Sequence, residues 1–371
     1  MDALSREAAR APMIRRVENF PAHLSASSIE RLDLDGQGRR VLTLAGSAGP
    51  VGGPQWWVET AGGWTPTGPE EDGELPFAAA LPEALARPGA RLLAWKPARR
   101  LVLLSGAPGT GTVLKAHRKS GFPKALAAHR AAQQALARGT WRAAPLSAGL
   151  NADPEACVLE MDFVDGSALE LLEQASDVHF RIGAGLRDLQ EAVFEAELAP
   201  HRAEDELAVV ARLTRRAEAC GAELPGNFEE TGARLSAQRE RFDEGELLPC
   251  HRDLHDGQFL KTRERLVCLD FDLLCRADSA LDAANFVVHL QLRALQSQGG
   301  ARGSDALALA RAFLEGLDRQ GERGFDARFC WYQAASFLRL AAVHAMRPRW
   351  LHLAPELVNL SRRCLEDLDR A

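Results

Sequence analysis

The sequence is short of positive charge: 45 Lys and Arg stand against 51 Asp and Glu, a formal net charge of −6. A dedicated nucleic-acid binder needs a basic face to displace counterions from phosphates, so nucleic acid is not an expected partner. Long apolar runs are missing as well. No stretch approaches the roughly 18 apolar residues of a membrane span, which argues against a membrane protein. Met1 to Phe20 carries charges throughout and lacks the apolar core of a secretory leader. The seven cysteines are an odd, scattered set without a C-x-x-C pair or a Cys–His spacing suited to zinc. They are expected to be buried free thiols in a reducing compartment, which places the protein in the cytoplasm. Lysine is scarce, with five in the chain, because Arg carries almost all of the basic character. Each Lys is therefore more informative than usual. What the chain does have is length and apolar content, 371 residues at 46% hydrophobic, enough for two sizeable cores.

Residues 1–90 are rich in Gly, Pro and Trp, with short β-like runs at Arg40–Leu44 and Gln55–Glu59 between turn clusters such as Gly46–Gly53 and Thr65–Gly73. Three strands are predicted next, Arg91–Trp95, Arg100–Ser105 and Thr112–His117, as a small antiparallel sheet. An Ala-rich helix follows at Pro123–Arg138, with Pro at its start and Gly139 beyond its end. Cys157–Val164 reads as an apolar strand stopped by Asp165-Gly166, after which helical periodicity dominates: Phe180–Val193, Leu207–Ala219, Ala306–Leu317 and Phe329–Ala345. The expected division is a β-rich extension over 1–90 of open role, a lobe over 91–164, and a helical lobe over 165–371.

The most informative string is His251-Arg252-Asp253-Leu254-His255-Asp256-Gly257-Gln258, followed 17 residues after Asp253 by Asp270-Phe271-Asp272. Phosphoryl transfer from ATP needs one carboxylate to take the acceptor hydroxyl's proton, and further oxygen ligands for the metal ions that neutralise phosphate charge. Asp253 suits the first task, and Asp270 with Gln258 the second. The pattern follows the kinase signature H-R-D-L-x-x-x-N then D-F-G, with Gln for Asn and Asp272 for Gly. In these residues the chain resembles the aminoglycoside phosphotransferase and choline kinase group of the protein-kinase-like superfamily, whose catalytic stretch reads H-G-D-L-H-P-G-N followed by D-F-D or D-F-G. The resemblance implies a two-lobed α+β fold, with a β-rich N-terminal lobe and a mostly helical C-terminal lobe. It also implies ATP and Mg²⁺, and a small-molecule hydroxyl acceptor. The competing reading is a hairpin of surface acids, in which Leu247–Cys250 pairs with Leu266–Leu269.

Other positions follow from the same resemblance. Lys115, inside a predicted strand, stands where kinases place the Lys that meets the α- and β-phosphates. Val158–Gly166 resembles the hinge, with Met161 as gatekeeper and the Asp162 carbonyl and Val164 N–H holding adenine. His251, His255, Asp272 and Asp278 are supporting residues. Asp278 and Asp282 resemble the family's G-D-P-x-x-D segment; Asp278 suits an N-cap that also braces the catalytic loop, and Asp282 suits the helix dipole. Glu170, Glu173, Glu204, Asp205 and Glu206 read as solvated helix faces in the insert over 167–245. Two look-alike motifs are set aside. Gly106–Gly111 has Thr112 where a Walker A loop needs Lys, and Ala354-Pro355-Glu356 lies far beyond Asp270. Only a few residues separate Asp272 from the helix near Asp278, leaving no peptide-docking segment and favouring a small acceptor.

The chain departs from the family in two places. The Gly-rich phosphate loop is replaced by Trp95–Arg100, where Lys96, Arg99 or Arg100 would meet phosphate by charge, with at least two of the three facing solvent. The helix Pro123–Arg138 has no Glu to pair with Lys115, leaving His129 or Gln133 as hydrogen-bonding substitutes. The expected activity is phosphorylation of an aminoglycoside, sugar or amino alcohol, and the mildly acidic surface suits a cationic one. The alternative is a degenerate kinase that binds nucleotide or a partner without transfer. Oligomeric state is not legible.

Overall fold

The computed structural model describes residues 29–44, 56–107, 109, 111–147, 152–241, 243–297, 303–319 and 321–370. The predicted turn cluster at 46–53 and the segment 1–20 lie outside these, and the turn at 106–111 lies partly outside. The described residues begin with an antiparallel meander of β1 (Ile29–Leu34), β2 (Arg40–Leu44), β3 (Trp56–Thr60) and β4 (Gly63–Thr67), in that order in the sheet. Ile29 and Leu32 are three apart yet share the buried face, because the register of β1 against β2 shifts between Ile29 and Arg31. A short helix α1 (Leu81–Leu85) follows.

The next strands are β5 (Arg91–Lys96), β6 (Arg100–Ser105), β7 (Thr112–His117), β8 (Trp141–Ala143), β9 (Ala152–Asp153) and β10 (Val158–Asp162), and all but β8 form one sheet. Its order is β5-β6-β7-β10-β9. Helix α2 (Phe122–Ala135) crosses it, started by Pro123 where a missing N–H costs nothing. Leu75, Phe77 and Leu81 pack on Trp95, Leu101 and Leu103 of this sheet. Asp72 accepts hydrogen bonds from Trp95 Nε1 at 2.9 Å and from the Ala98 N–H at 2.8 Å.

The remainder is helical around short strands. Strands β11 (Ser167–Ala168), β12 (Leu247–Cys250), β13 (Phe259–Lys261), β14 (Leu266–Cys268) and β15 (Cys275–Asp278) form two small sheets, ordered β11-β13-β14-β8 and β12-β15. One expectation changes here. Leu247–Cys250 pairs with Cys275–Asp278, so it makes no hairpin with 266–268. A strand not read from the sequence, Trp141–Ala143, pairs in parallel with Leu266–Cys268. Long-range pairing of this kind leaves no local mark on residue order.

The helices are α3 (Ser176–Glu191), α4 (Ala203–Ala219), α5 (Phe228–Gln238), α6 (Ala280–Gln296), α7 (Gly303–Leu317), α8 (Phe325–Ala345) and α9 (Ala354–Arg370). Helix α6 is buried along nearly its whole length and anchors the largest core, with Phe286, Phe313, Trp331 and Phe337. Helices α3 and α7 meet at a glycine: a Cβ on Gly183 would fall 1.9 Å from the Phe313 carbonyl oxygen. No helix among the described residues is long and apolar enough to cross a membrane. The N-terminal meander packs on the helical lobe, with Ile29, Leu32 and Leu42 against Ala217, Ala345 and Met346. The Leu32 N–H donates to the Met346 carbonyl at 3.0 Å, and Arg216 pairs with Asp33. Residues 29–85 therefore grip both lobes.

Candidate active site

The loop between β12 and β13 carries His251 to Gln258 and is held from beneath by α6. Both oxygens of the buried Asp282 carboxylate are engaged, accepting the N–H of His251 at 2.6 Å and of Arg252 at 2.7 Å. Asn285 Nδ2 donates to the Arg252 carbonyl at 3.1 Å, and His251 Nε2 lies 2.8 Å from the Leu269 carbonyl. Arg252 itself sits at φ 72°, a left-handed conformation that such a framework must hold in place. The brace is thus Asp282 and not Asp278. Asp278 instead accepts the Ala280 and Gly245 N–H groups at 3.0 Å each and pairs with Arg328 at 2.9 Å.

Burial pushes the Asp282 carboxyl up to about 6, against the opposing pull of His251 and the two N–H donors. A folded value above the unfolded one means that the stabilisation is complete below about pH 3.9 and lost as pH rises through the folded value. Relative to Asp282→Asn, the wild type should therefore lose on the order of 2–3 kcal/mol of stability between about pH 4 and pH 7. Urea unfolding of both proteins across that range checks the sign; a difference that is flat or grows with pH contradicts it.

Asp270 follows β14 in the left-handed region, φ 60° and ψ 56°, which Asp tolerates better than most residues. Its carboxylate and that of Asp272 receive the same two cations. Lys115 Nζ lies 2.8 Å from Asp270 and 2.6 Å from Asp272. Arg100 Nη1 lies 2.8 and 2.7 Å from the Asp270 oxygens and 3.0 Å from Asp272. Burial would raise the Asp270 carboxyl, but the Lys115 and Arg100 charges and the Lys115 hydrogen bond hold it well below the usual carboxylate range. The expected substitutes on the helix play no part: His129 is buried and bonded to the Ala144 carbonyl at 2.7 Å. The anion missing from α2 is supplied by the Asp-Phe-Asp turn itself.

The Asp253 side chain is 38% exposed, and its carboxylate accepts no hydrogen bond from the described residues; His255 Nε2 is 3.9 Å away. Desolvation in the cleft opposes its charge, yet His255 and Arg339 hold it below the ordinary carboxyl value. His251 links the two acids: its Nδ1 accepts the Asp253 N–H at 3.3 Å, and its Nε2 lies 2.8 Å from the carbonyl of Leu269, the residue before Asp270. Gln258 is buried, its Nε2 3.3 Å from His255 Nε2, and its carbonyl accepts the Leu269 N–H at 2.7 Å, tying the loop to the Asp270 turn. Carboxylate and amide oxygens are the ligands that Mg²⁺ takes, so Asp270, Asp272 and Gln258 fit such an ion by donor chemistry.

Around this centre, Lys96 and Arg100 are half-buried and only Arg99 is exposed, one fewer solvent-facing cation in that turn than expected. Met161 and Val164 are half-buried and Asp162 is exposed. The Asp162 N–H donates to the Pro145 carbonyl at 3.0 Å, whereas no described backbone group engages the Val164 N–H. Glu206, read as solvated, is buried: it pairs with His201 at 2.6 Å and lies 3.8 Å from Arg252 Nε. Four further supports escaped sequence reasoning. Asn285, Arg339 and His289 come from α6 and α8, and Asp256 is clamped by Arg293 at 2.6 and 2.9 Å. An Asn or Arg in a helix carries no mark of what it will touch.

A strand-borne lysine paired to an Asp-Phe-Asp turn, across a cleft from an H-R-D loop, belongs to the two-lobed kinase-like class. Solved structures agree on the fold. The chain is similar to a choline/ethanolamine kinase family protein from Mesorhizobium loti, at TM-score 0.52 and 16% identity over 78% of this chain and 95% of that one. An amicoumacin kinase solved with AMP-PNP, Ca²⁺ and Ami matches at TM-score 0.56 and 13% identity, over 78% and 93%. Choline kinase LicA from Streptococcus pneumoniae matches at 0.50 and 14%, over 79% and 97%. A search of curated proteins found no match. More narrowly, the chain belongs to the phosphotransferase enzyme family, APH, whose model matches residues 98–325, and it is a small-molecule kinase.

Proposed function

We propose that the protein transfers the γ-phosphoryl group of ATP to a hydroxyl of a small molecule, with Asp253 as the general base. The observation that carries this reading is the Asp253 carboxylate: held below the ordinary carboxyl value, unbonded and partly open, on a loop braced by Asp282 and tied through His251 to the residue before Asp270. Lys115, Lys96 and Arg100 would receive the phosphates, and the hinge at Met161, Asp162 and Val164 would hold adenine, the free Val164 N–H being available as donor. Mg²⁺, held by Asp270 and Gln258, would supply charge neutralisation on the phosphates. Asp253 orients the acceptor O–H; as its oxygen bonds to the γ-phosphorus, the bond to the β–γ bridging oxygen breaks, ADP leaves, and the proton passes to Asp253. His251 and Asp282 hold the loop, His255 keeps Asp253 ionised, Asp272 holds Lys115, and Asp278 caps α6. In this reading residues 91–164 and 165–371 are the two lobes, the described part of residues 1–90 is an extension that braces both, and the enzyme works in the cytoplasm.

One observation favours the non-catalytic alternative: Lys115 and Arg100 already occupy both carboxylates that would face the metal. Incubation with MgATP and a panel of aminoglycosides, amino alcohols and sugars decides. The expected products are ADP and a phosphomonoester in equal amount. ATP binding without ADP on any acceptor favours the non-catalytic reading, and pyrophosphate would mean AMP transfer.

A further inference from the structure

A cavity of about 310 Å³ lies where β1, β3 and β5 meet the turn after α8. Arg31, Lys96, Arg347 and Arg349 line it, against one acid, Glu30, together with Trp56, Trp95 and Trp350. We infer that this cavity is the acceptor pocket, and that it takes a small hydroxylated anion, a compound of monosaccharide size bearing a carboxylate or a phosphate. The inference rests on the phosphotransferase reading and narrows its substrate class.

Most of the charge in the pocket is unmet. Among the described residues, the Lys96 and Arg347 side chains make no hydrogen bond or ion pair. Arg31 pairs with Asp33 at 3.7 Å and donates from Nη2 to the Trp95 carbonyl at 3.5 Å, but its buried Nε has no hydrogen-bond partner. The Arg349 guanidinium lies over the Trp350 ring, 4.8 Å from its centroid, and meets no carboxylate. Burial pushes the Lys96 amine down to about 8, helped by Arg100, and burial also lowers Arg347, with Arg31 adding to the effect. Cations drawn out of water without a counterion raise the free energy of the empty site, and a bound anion relieves it.

The position suits an acceptor. Lys96 lines the cavity and stands opposite Arg100 in the β5–β6 register, and Arg100 reaches the Asp270 carboxylate at 2.7 Å, so the pocket opens beside the proposed centre of phosphoryl transfer. The volume is at the lower end of ligand pockets, enough for a single ring and its substituents. Indole faces stack on the apolar side of such a ring while leaving its hydroxyls free. A cationic acceptor, which the mildly acidic surface as a whole suggested, would meet like charge here. Part of the pocket comes from the N-terminal extension, which contributes Arg31 and Trp56.

The test uses the full chain and separates binding from turnover. Glucose 6-phosphate, glucuronate, glucose and glucosamine are titrated calorimetrically, and the same compounds are assayed for ADP release. At least one of the two anions should bind roughly tenfold or more tighter than glucose, and glucosamine more weakly; which anion leads distinguishes phosphate from carboxylate. Arg347→Gln should weaken the anion by roughly tenfold or more and leave ATP affinity unchanged. Arg349→Glu, at the exposed rim, should shift preference towards glucosamine, which a purely structural residue would not do. Equal or tighter binding of glucosamine by the wild type, no effect of Arg347→Gln on the anion, or loss of ATP affinity instead would overturn the pocket assignment. Tight anion binding with no ADP from any acceptor would leave an anion-binding cavity but overturn its role as acceptor pocket together with the phosphotransferase reading.

Discussion

Replacing Asp253 with Asn is expected to lower kcat by about 10²- to 10⁴-fold, the contribution of a positioned general base, while ATP affinity changes little. The structure makes this a clean substitution. The wild-type carboxylate accepts no hydrogen bond from the described residues, and the loop is held through the backbone of its neighbours by Asp282 and Asn285. Asn preserves the shape and removes only the ionised oxygen that takes the proton, so folding should be unaffected. Because His255 and Arg339 keep Asp253 below the ordinary carboxyl value, the base should stay ionised well into the acid range. Steady-state kinetics on any accepted substrate, with nucleotide binding measured separately, provide the test. Turnover equal to wild type removes Asp253 from the chemistry.

Asp270→Asn should cost more than Asp253→Asn in one respect, because it damages both metal binding and the cation network. Activity should fall on the order of 10³-fold at fixed Mg²⁺, from loss of an anionic ligand beside the transferring phosphoryl group. Stability should also drop, by about 1–3 kcal/mol, since Lys115 and Arg100 would share only Asp272. The pH dependence has a definite sign. The Asp270 carboxyl is depressed in the fold, so its stabilisation is present above the ordinary Asp value and disappears as pH falls below it. The variant and the wild type should therefore converge in stability towards acid. Urea unfolding against pH, together with activity against Mg²⁺ concentration, tests both halves. Unchanged Mg²⁺ dependence would remove Asp270 from the metal site, and parallel stability curves down to acid would deny that its charge matters to the fold.

The order of residues was enough to determine the class of protein and to single out a candidate site. His251–Gln258 and Asp270–Asp272 are contiguous strings whose spacing carries the pattern, and strands such as Arg100–Ser105 and Thr112–His117 keep the bounds read from local propensity. Local signals suffice where each element's periodicity faces a core of its own. Three decisions belonged to the tertiary structure alone. Lys115 finds its anion 155 residues downstream on Asp270, and not on the helix that follows it. The loop of the candidate site rests on Asp282 because α6 packs beneath it, although Asp278 and Asp282 look alike as helix-start acids. The cationic cavity gathers Arg31, Lys96 and Arg347 from three distant segments, and the chain's net charge of −6 pointed the other way. Electrostatic partnership depends on distance through space and on exclusion of water, and neither is written in separation along the chain.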